Sequence, residues 1–308
     1  MDALGRRTLG RTGVDVAVLG YGSMELRGAP RGRDLDESEV GALLGAVLDA
    51  GIDLIDTSID YGLAEERIGR HLAHRRDEFF LASKCGCVVG WTPGGPEARG
   101  PHDYGRDNIV AGVEQSLRRL RTDRLDLLQV HLSPSMEILE RHDVVATLHD
   151  LQAQGKVRFI GMSGRLPHLP DQLATDAFDV FQIPYSAVQR QHAHLIAEAA
   201  RRGAGVIVRG GVAKGAPSGA PDVAERHADY AAAWRSLEVD DLLEGMSPME
   251  FALRFTISHP GMTSTIVGTA SRAHLADNLA AARKGPLPAD VHAEAERRLE
   301  RIEPVEGR

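Results

Sequence analysis

Eight short apolar runs recur along the chain, each followed by a helix-like pattern, and this alternation constrains the fold more than any other feature. The runs are 16–23, 52–58, 79–84, 125–131, 157–163, 179–185, 205–211 and 264–269. They do not alternate cleanly with polar residues, as expected of parallel strands covered on both faces. The helical patterns between them have recognisable ends. Asp36 opens one that stops at Gly51, Asp107 precedes another, and the patterns at 142–154 and 192–202 close at Gly155 and Gly203. Ser247, Pro248 and Glu250 read as an N-cap, a first-turn proline and an N3 acid. Strict strand–helix alternation predicts an α/β fold, a (β/α)8 TIM barrel, with an open doubly wound sheet as the structural alternative. A chain of 308 residues fits one such barrel domain, 1–308.

Three segments fall outside the rhythm. The stretch TLGRTGVDV, 8–16, reads as an N-terminal β-hairpin capping the barrel bottom. Gly- and Pro-rich segments at 91–105, after strand 3, and 214–230, after strand 7, read as long βα loops. In a barrel such loops stand at the C-terminal mouth, where active sites form. Trp91 and Tyr104 in the first, and Trp234 beyond the second, are candidate substrate-wall aromatics.

Strand C-termini are therefore the place to look for chemistry. Strand 2 lies within GIDLIDTSIDYG and ends at Asp56, with Tyr61 five residues on; strand 3 ends at Lys84 and strand 4 at His131. A carboxylate ending an apolar strand needs a partner, because an unpaired buried charge is costly. Lys84, one strand over, is the expected partner of Asp56. A lysine beside Tyr61 is expected to lower the phenol pKa from about 10. Such a tyrosine suits general acid catalysis toward a carbonyl oxygen, or base catalysis toward an alcohol, with His131 orienting the oxygen or sharing the proton relay.

Composition sets the limits. A net charge of −8 argues against a nucleic-acid surface. No apolar run approaches the roughly 18 residues of a membrane span. Two cysteines, Cys85 and Cys87, are too close for an ordinary disulfide, and the chain reads as cytoplasmic. Sequence spacing supplies them with no further metal ligands, and His192 and His194 do not share a helix face, so no metal is expected.

With the motifs in order, the chain resembles the aldo-keto reductase superfamily over nearly its whole length. The carriers are DTSIDYG around Asp56 and Tyr61, LASKCG around Lys84, DLLQVHLSP around His131, GKVRFIGMSG, and SHPGMTSTIVGTASRAHLADNLAA. The resemblance implies Asp56, Tyr61, Lys84 and His131 as the catalytic set, and NADPH as cofactor, with NADH possible, bound without a Rossmann fold. It implies Gly22, Ser23, Met24 and Asp56 beside the nicotinamide ribose, and Ser163 and Gln182 at the carboxamide. It implies Gly268, Thr269, Arg272, Asp277 and Asn278 at the adenosine end, with Arg272 at the 2′-phosphate. The chain departs from the family at Gly164, where asparagine is frequent, and at Arg209, where a stacking aromatic is frequent. His131 also lacks the Trp or Asp that often follows it. The implied reaction is NADPH-dependent reduction of an aldehyde or ketone. The alternatives are a sugar or alcohol dehydrogenase running in reverse and a cofactor-binding regulatory subunit with little turnover.

Overall fold

The structure, a computed structural model, describes residues 3–95, 98 and 100–306. Strands β1 (Arg6–Thr8) and β2 (Asp15–Ala17) pair antiparallel. Eight further strands pair in parallel among the described residues: β3 (Leu19–Gly22), β4 (Leu54–Asp56), β5 (Phe80–Cys85), β6 (Leu125–Val130), β7 (Val157–Ser163), β8 (Val180–Pro184), β9 (Gly205–Arg209) and β10 (Ser264–Val267). Pairing of β10 with β3 closes the sheet, so the fold is a TIM barrel and the open-sheet alternative falls away.

The hairpin seals the floor. Leu9 is fully buried among Val16, Leu54, Phe80, Leu127, Val180 and Ile207. Asp53 anchors the hairpin, accepting from the Ala17 amide at 2.8 Å and pairing with Arg6 at 2.6 Å. The apolar run 16–23 is thus two strands, because Val16 and Ala17 belong to the hairpin and Leu19–Gly22 to the barrel.

Helix ends follow local chemistry. Asp36 caps Glu37–Asp49, accepting from the Ser38 and Glu39 amides. The Ser247 hydroxyl accepts from the Glu250 amide at 3.1 Å, with Pro248 in the first turn of Pro248–Ser258. Asp107 lies inside the first turn of Arg106–Leu120 rather than before it, where its charge complements the helix dipole. The segment 214–230 departs further from expectation. It contains the helix Pro221–Arg226 and the start of Ala228–Ser236. A proline at the first position favours the one and alanine-rich composition the other, which buries Tyr230.

The two-residue period of a strand decides what lines the barrel. Leu54, Phe80, Leu127, Val180 and Ile207 make one apolar interior cluster. Two residues further along the same strands stand Asp56, Ala82, Gln129, Gln182 and Arg209. Apart from Ala82, the interior therefore changes from apolar at the floor to polar at the mouth. Gly161 makes this possible: a Cβ there would meet the Val180 carbonyl oxygen at 2.7 Å and the Gln129 side chain at 3.3 Å.

Candidate active site

Asp56 and Lys84 form a pair at the mouth, 2.6 Å apart with each side chain no more than 2 % exposed. Lys84 Nζ also donates to the Thr57 carbonyl at 2.8 Å. The second carboxylate oxygen of Asp56 accepts from Gln129 Nε2 at 3.0 Å and Gln182 Nε2 at 2.7 Å. Three donors thus replace the water that burial removes, which is the condition for keeping a buried carboxylate charged. Burial opposes the Lys84 charge, but Asp56 and Tyr61 outweigh it and leave its pKa raised.

Tyr61 sits in the turn after β4, its amide bonded to the Ser58 carbonyl at 3.0 Å. Lys84 Nζ lies 4.9 Å from the centroid of its ring. The phenol pKa is raised, which corrects the expectation of a lowered one. Burial is the largest cause; Lys84 and Arg209 pull the other way, while Asp56 and Asp60 reinforce it. Tyr61 consequently keeps its proton at neutral pH, with two cations beside it ready to stabilise a phenolate.

His131 follows β6, its amide bonded to the Cys85 carbonyl at 3.0 Å. Its pKa lies well below 6.5, through burial first and then the charges of Lys84, His102, Arg209 and Arg31. It is a neutral imidazole at physiological pH. Nδ1 lies 3.1 Å from Cys87 Sγ. If the thiol donates to Nδ1, the remaining ring proton sits on Nε2, free for a substrate oxygen.

The resemblance-derived cofactor positions split into two groups. Gly22, Ser23, Met24, Ser163, Gln182, Gly268 and Thr269 stand at strand ends around the mouth. Gly22 and Gly268 abut, and a Cβ on Gly268 would meet the Gly22 oxygen at 2.9 Å. The Ser23 hydroxyl is buried without a partner, while Met24 is 42 % exposed. Thr269 accepts from Ser271 and its carbonyl from the Tyr21 hydroxyl. Arg272 and Asp277 are exposed and Asn278 half-buried on the helix Arg272–Arg283, whose N-cap is Ser271. Arg209 ends β9 and acts electrostatically on Tyr61. The Gly164 departure has a steric account, since a Cβ there would meet Leu169 Cδ1 at 2.6 Å.

The three aromatics do not share a role. Trp91 lines a cleft with Asp60 and Cys87, and the Arg31 guanidinium stands 5.9 Å from its ring. Tyr104 is a buttress: its hydroxyl donates to the His131 carbonyl at 2.8 Å. Trp234 packs edge-on against Phe251, on an outer helix. Sequence reasoning missed Gln129, Cys87, His102 and Leu132. Gln129 had a signal, a polar residue two before His131 in an apolar run. Leu132, exposed at 47 % with a positive φ of 64°, follows His131 and had no such signal; no contact among the described residues ties it to the chemistry.

Comparison with known proteins places this geometry. The Aldo/keto reductase family model matches residues 18–300. The chain is similar to L-galactose dehydrogenase from Arabidopsis thaliana, 25% identical over 91% of this chain and 89% of that protein. Aldo-keto reductase YhdN from Bacillus subtilis is 33% identical over 58% of this chain and 53% of its own. Among solved structures, aldo-keto reductase AKR11C1 from Bacillus halodurans in its holo form superposes with a TM-score of 0.81 at 25% identity, covering 96% of each chain. With the family matched from the first barrel strand through the C-terminal helix, the chain belongs to the aldo/keto reductase family and is an NAD(P)H-dependent oxidoreductase.

Proposed function

We propose that the protein reduces an aldehyde or ketone to an alcohol with NADPH, Tyr61 delivering the proton. The observation that carries this reading is the Lys84 ammonium, 2.6 Å from Asp56 and 4.9 Å from the Tyr61 ring centroid. When bound, a reduced nicotinamide supplies the hydride that the carbonyl carbon accepts. The chain's own residues do the rest. His131 Nε2 orients the carbonyl oxygen, Tyr61 protonates it, and Lys84 and Arg209 stabilise the phenolate that remains. Burial keeps the Tyr61 phenol protonated, the form that donates in reduction, and by microscopic reversibility the same groups serve alcohol oxidation. The likeness to L-galactose dehydrogenase supports the reverse direction as the second reading. Initial rates over a panel of carbonyls and alcohols with both cofactors test the proposal. Turnover of aldehydes with NADPH is the expected result; tight NADPH binding with no turnover on any of them contradicts it.

The mouth suits the cofactor. The side-chain-free contact of Gly22 and Gly268 admits a close backbone approach, and the unpartnered Ser23 hydroxyl offers a polar contact. Arg272, in the first turn of its helix, suits a 2′-phosphate through charge-assisted hydrogen bonds. Such a bond is worth roughly 1.5–3 kcal/mol. Arg272→Ala should therefore weaken NADPH about ten- to a hundredfold in a fluorescence titration and leave NADH nearly unchanged. Equal losses for both cofactors remove Arg272 from phosphate recognition.

Arg209 stands where the family often stacks an aromatic on the nicotinamide, and a guanidinium plane can take that place. Arg209→Ala should weaken NADPH and NADH alike, because the nicotinamide half is common to them, and Arg209→Tyr should restore both. Flat cofactor affinities with a raised substrate KM would move Arg209 to the substrate instead.

A further inference from the structure

We propose that Cys87, His102 and His131 form a three-ligand site for zinc or a similar borderline-soft divalent cation at the rim of the barrel mouth. Cys87 and His102 both follow β5, 15 residues apart, and His131 stands just beyond β6. Cys87 Sγ lies 3.1 Å from His131 Nδ1 and 3.5 Å from His102 Nε2. One donor atom from each of the three residues falls within 4.8 Å of the others. Tetrahedral zinc with ordinary Zn–S and Zn–N bonds sets its ligands about 3.3–3.6 Å apart, so modest side-chain adjustment suffices.

Backbone bonds hold the three ligands in place. Cys87 and His102 face each other across an isolated antiparallel bridge. The His131 amide donates to the Cys85 carbonyl at 3.0 Å, and Tyr104 donates to the His131 carbonyl at 2.8 Å. Asn108 Nδ2 donates to the Cys87 carbonyl at 3.1 Å. Asp60, whose Oδ1 is buried without a hydrogen-bond partner, places negative charge near both Cys87 and His102. Of the cations acting on His131, Lys84 is already paired with Asp56 at 2.6 Å and Arg31 with Asp60 at 3.6 Å. Arg209 also acts on His131. On coordination the Cys87 thiol gives its proton to solvent and its sulfur pair to the metal. Three protein ligands leave the fourth position to water.

The consequence for turnover rests on the proposed role of His131. A metal on His131 Nδ1 leaves the Nε2 proton in place for the substrate oxygen, so occupancy should leave carbonyl reduction active.

Cobalt reads the site independently of activity. The full-length protein titrated with Co2+ should show a saturable sulfur-to-cobalt charge-transfer band at one equivalent, displaced by Zn2+. Cys87→Ser should abolish the band, Cys85→Ala should retain it, and His102→Ala should weaken binding at least about tenfold. The idea is overturned if the wild-type protein shows no such band at millimolar Co2+, or if Cys87→Ser keeps it. Turnover should persist as the band forms; turnover lost in step with the band keeps the metal site and overturns Nε2 as the contact to the substrate oxygen.

Discussion

Tyr61→Phe is expected to cut kcat at least about a hundredfold, the scale of losing a positioned general acid, while NADPH affinity stays within a few-fold. The substitution removes only the hydroxyl, so the ring keeps its place beside the Lys84 ammonium, 4.9 Å from the ring centroid. The loss is therefore chemical rather than architectural. The wild-type pH–rate profile should also show no ionisation near pH 6.5, because burial and the surrounding cations hold His131 neutral. A Phe variant with near-normal turnover excludes Tyr61 as the proton donor.

Lys84→Met should damage both stability and rate. Removing one partner of a buried ion pair strands the other, typically at about 3–5 kcal/mol. The Gln129 and Gln182 amides still hold one oxygen of Asp56, which argues for the lower end. A urea midpoint shift measures this, and Asp56→Asn in the same background should recover part of it. Turnover should be largely lost, because the phenolate has lost its nearest cation. A variant within about 1 kcal/mol of wild type would mean that the pair is stabilised chiefly elsewhere. The pH dependence has a definite sign. Lys84 in the folded state titrates above its ordinary value of 10.5, so its stabilising contribution is complete below that pH and lost as pH rises through the higher folded value. Tyr61, also raised, acts in the same direction. The contribution of Lys84 and Tyr61 should be flat near neutrality and fall in strong alkali.

The barrel was legible because its signal is repetitive: each apolar run predicted a strand, and each glycine or proline boundary a helix end. The candidate set at the mouth was legible for a related reason. Asp56, Lys84 and His131 are ionisable residues ending apolar runs, which folding into a parallel barrel brings to one rim. What stayed hidden depends on residues distant in sequence. The Tyr61 shift is a contest between burial and two cations, and residue types alone do not say which wins. His102 lies in a loop with no periodicity, and only the bridge to Cys87 brings it against His131. The helix Ala228–Ser236 was obscured by the glycines and prolines before it, although its own alanine-rich sequence carried the propensity.

The chain's membership in the aldo/keto reductase family makes carbonyl reduction the general chemistry; the central claim is narrower, that Tyr61 supplies the proton. Single-turnover mixing of NADPH-loaded enzyme with an aldehyde tests it most directly, using a substrate found active in the initial-rate panel. Wild-type enzyme should lose one equivalent of NADPH fluorescence rapidly, and in Tyr61→Phe the fluorescence should persist at least about a hundredfold longer. Equal decay in the two proteins would contradict it.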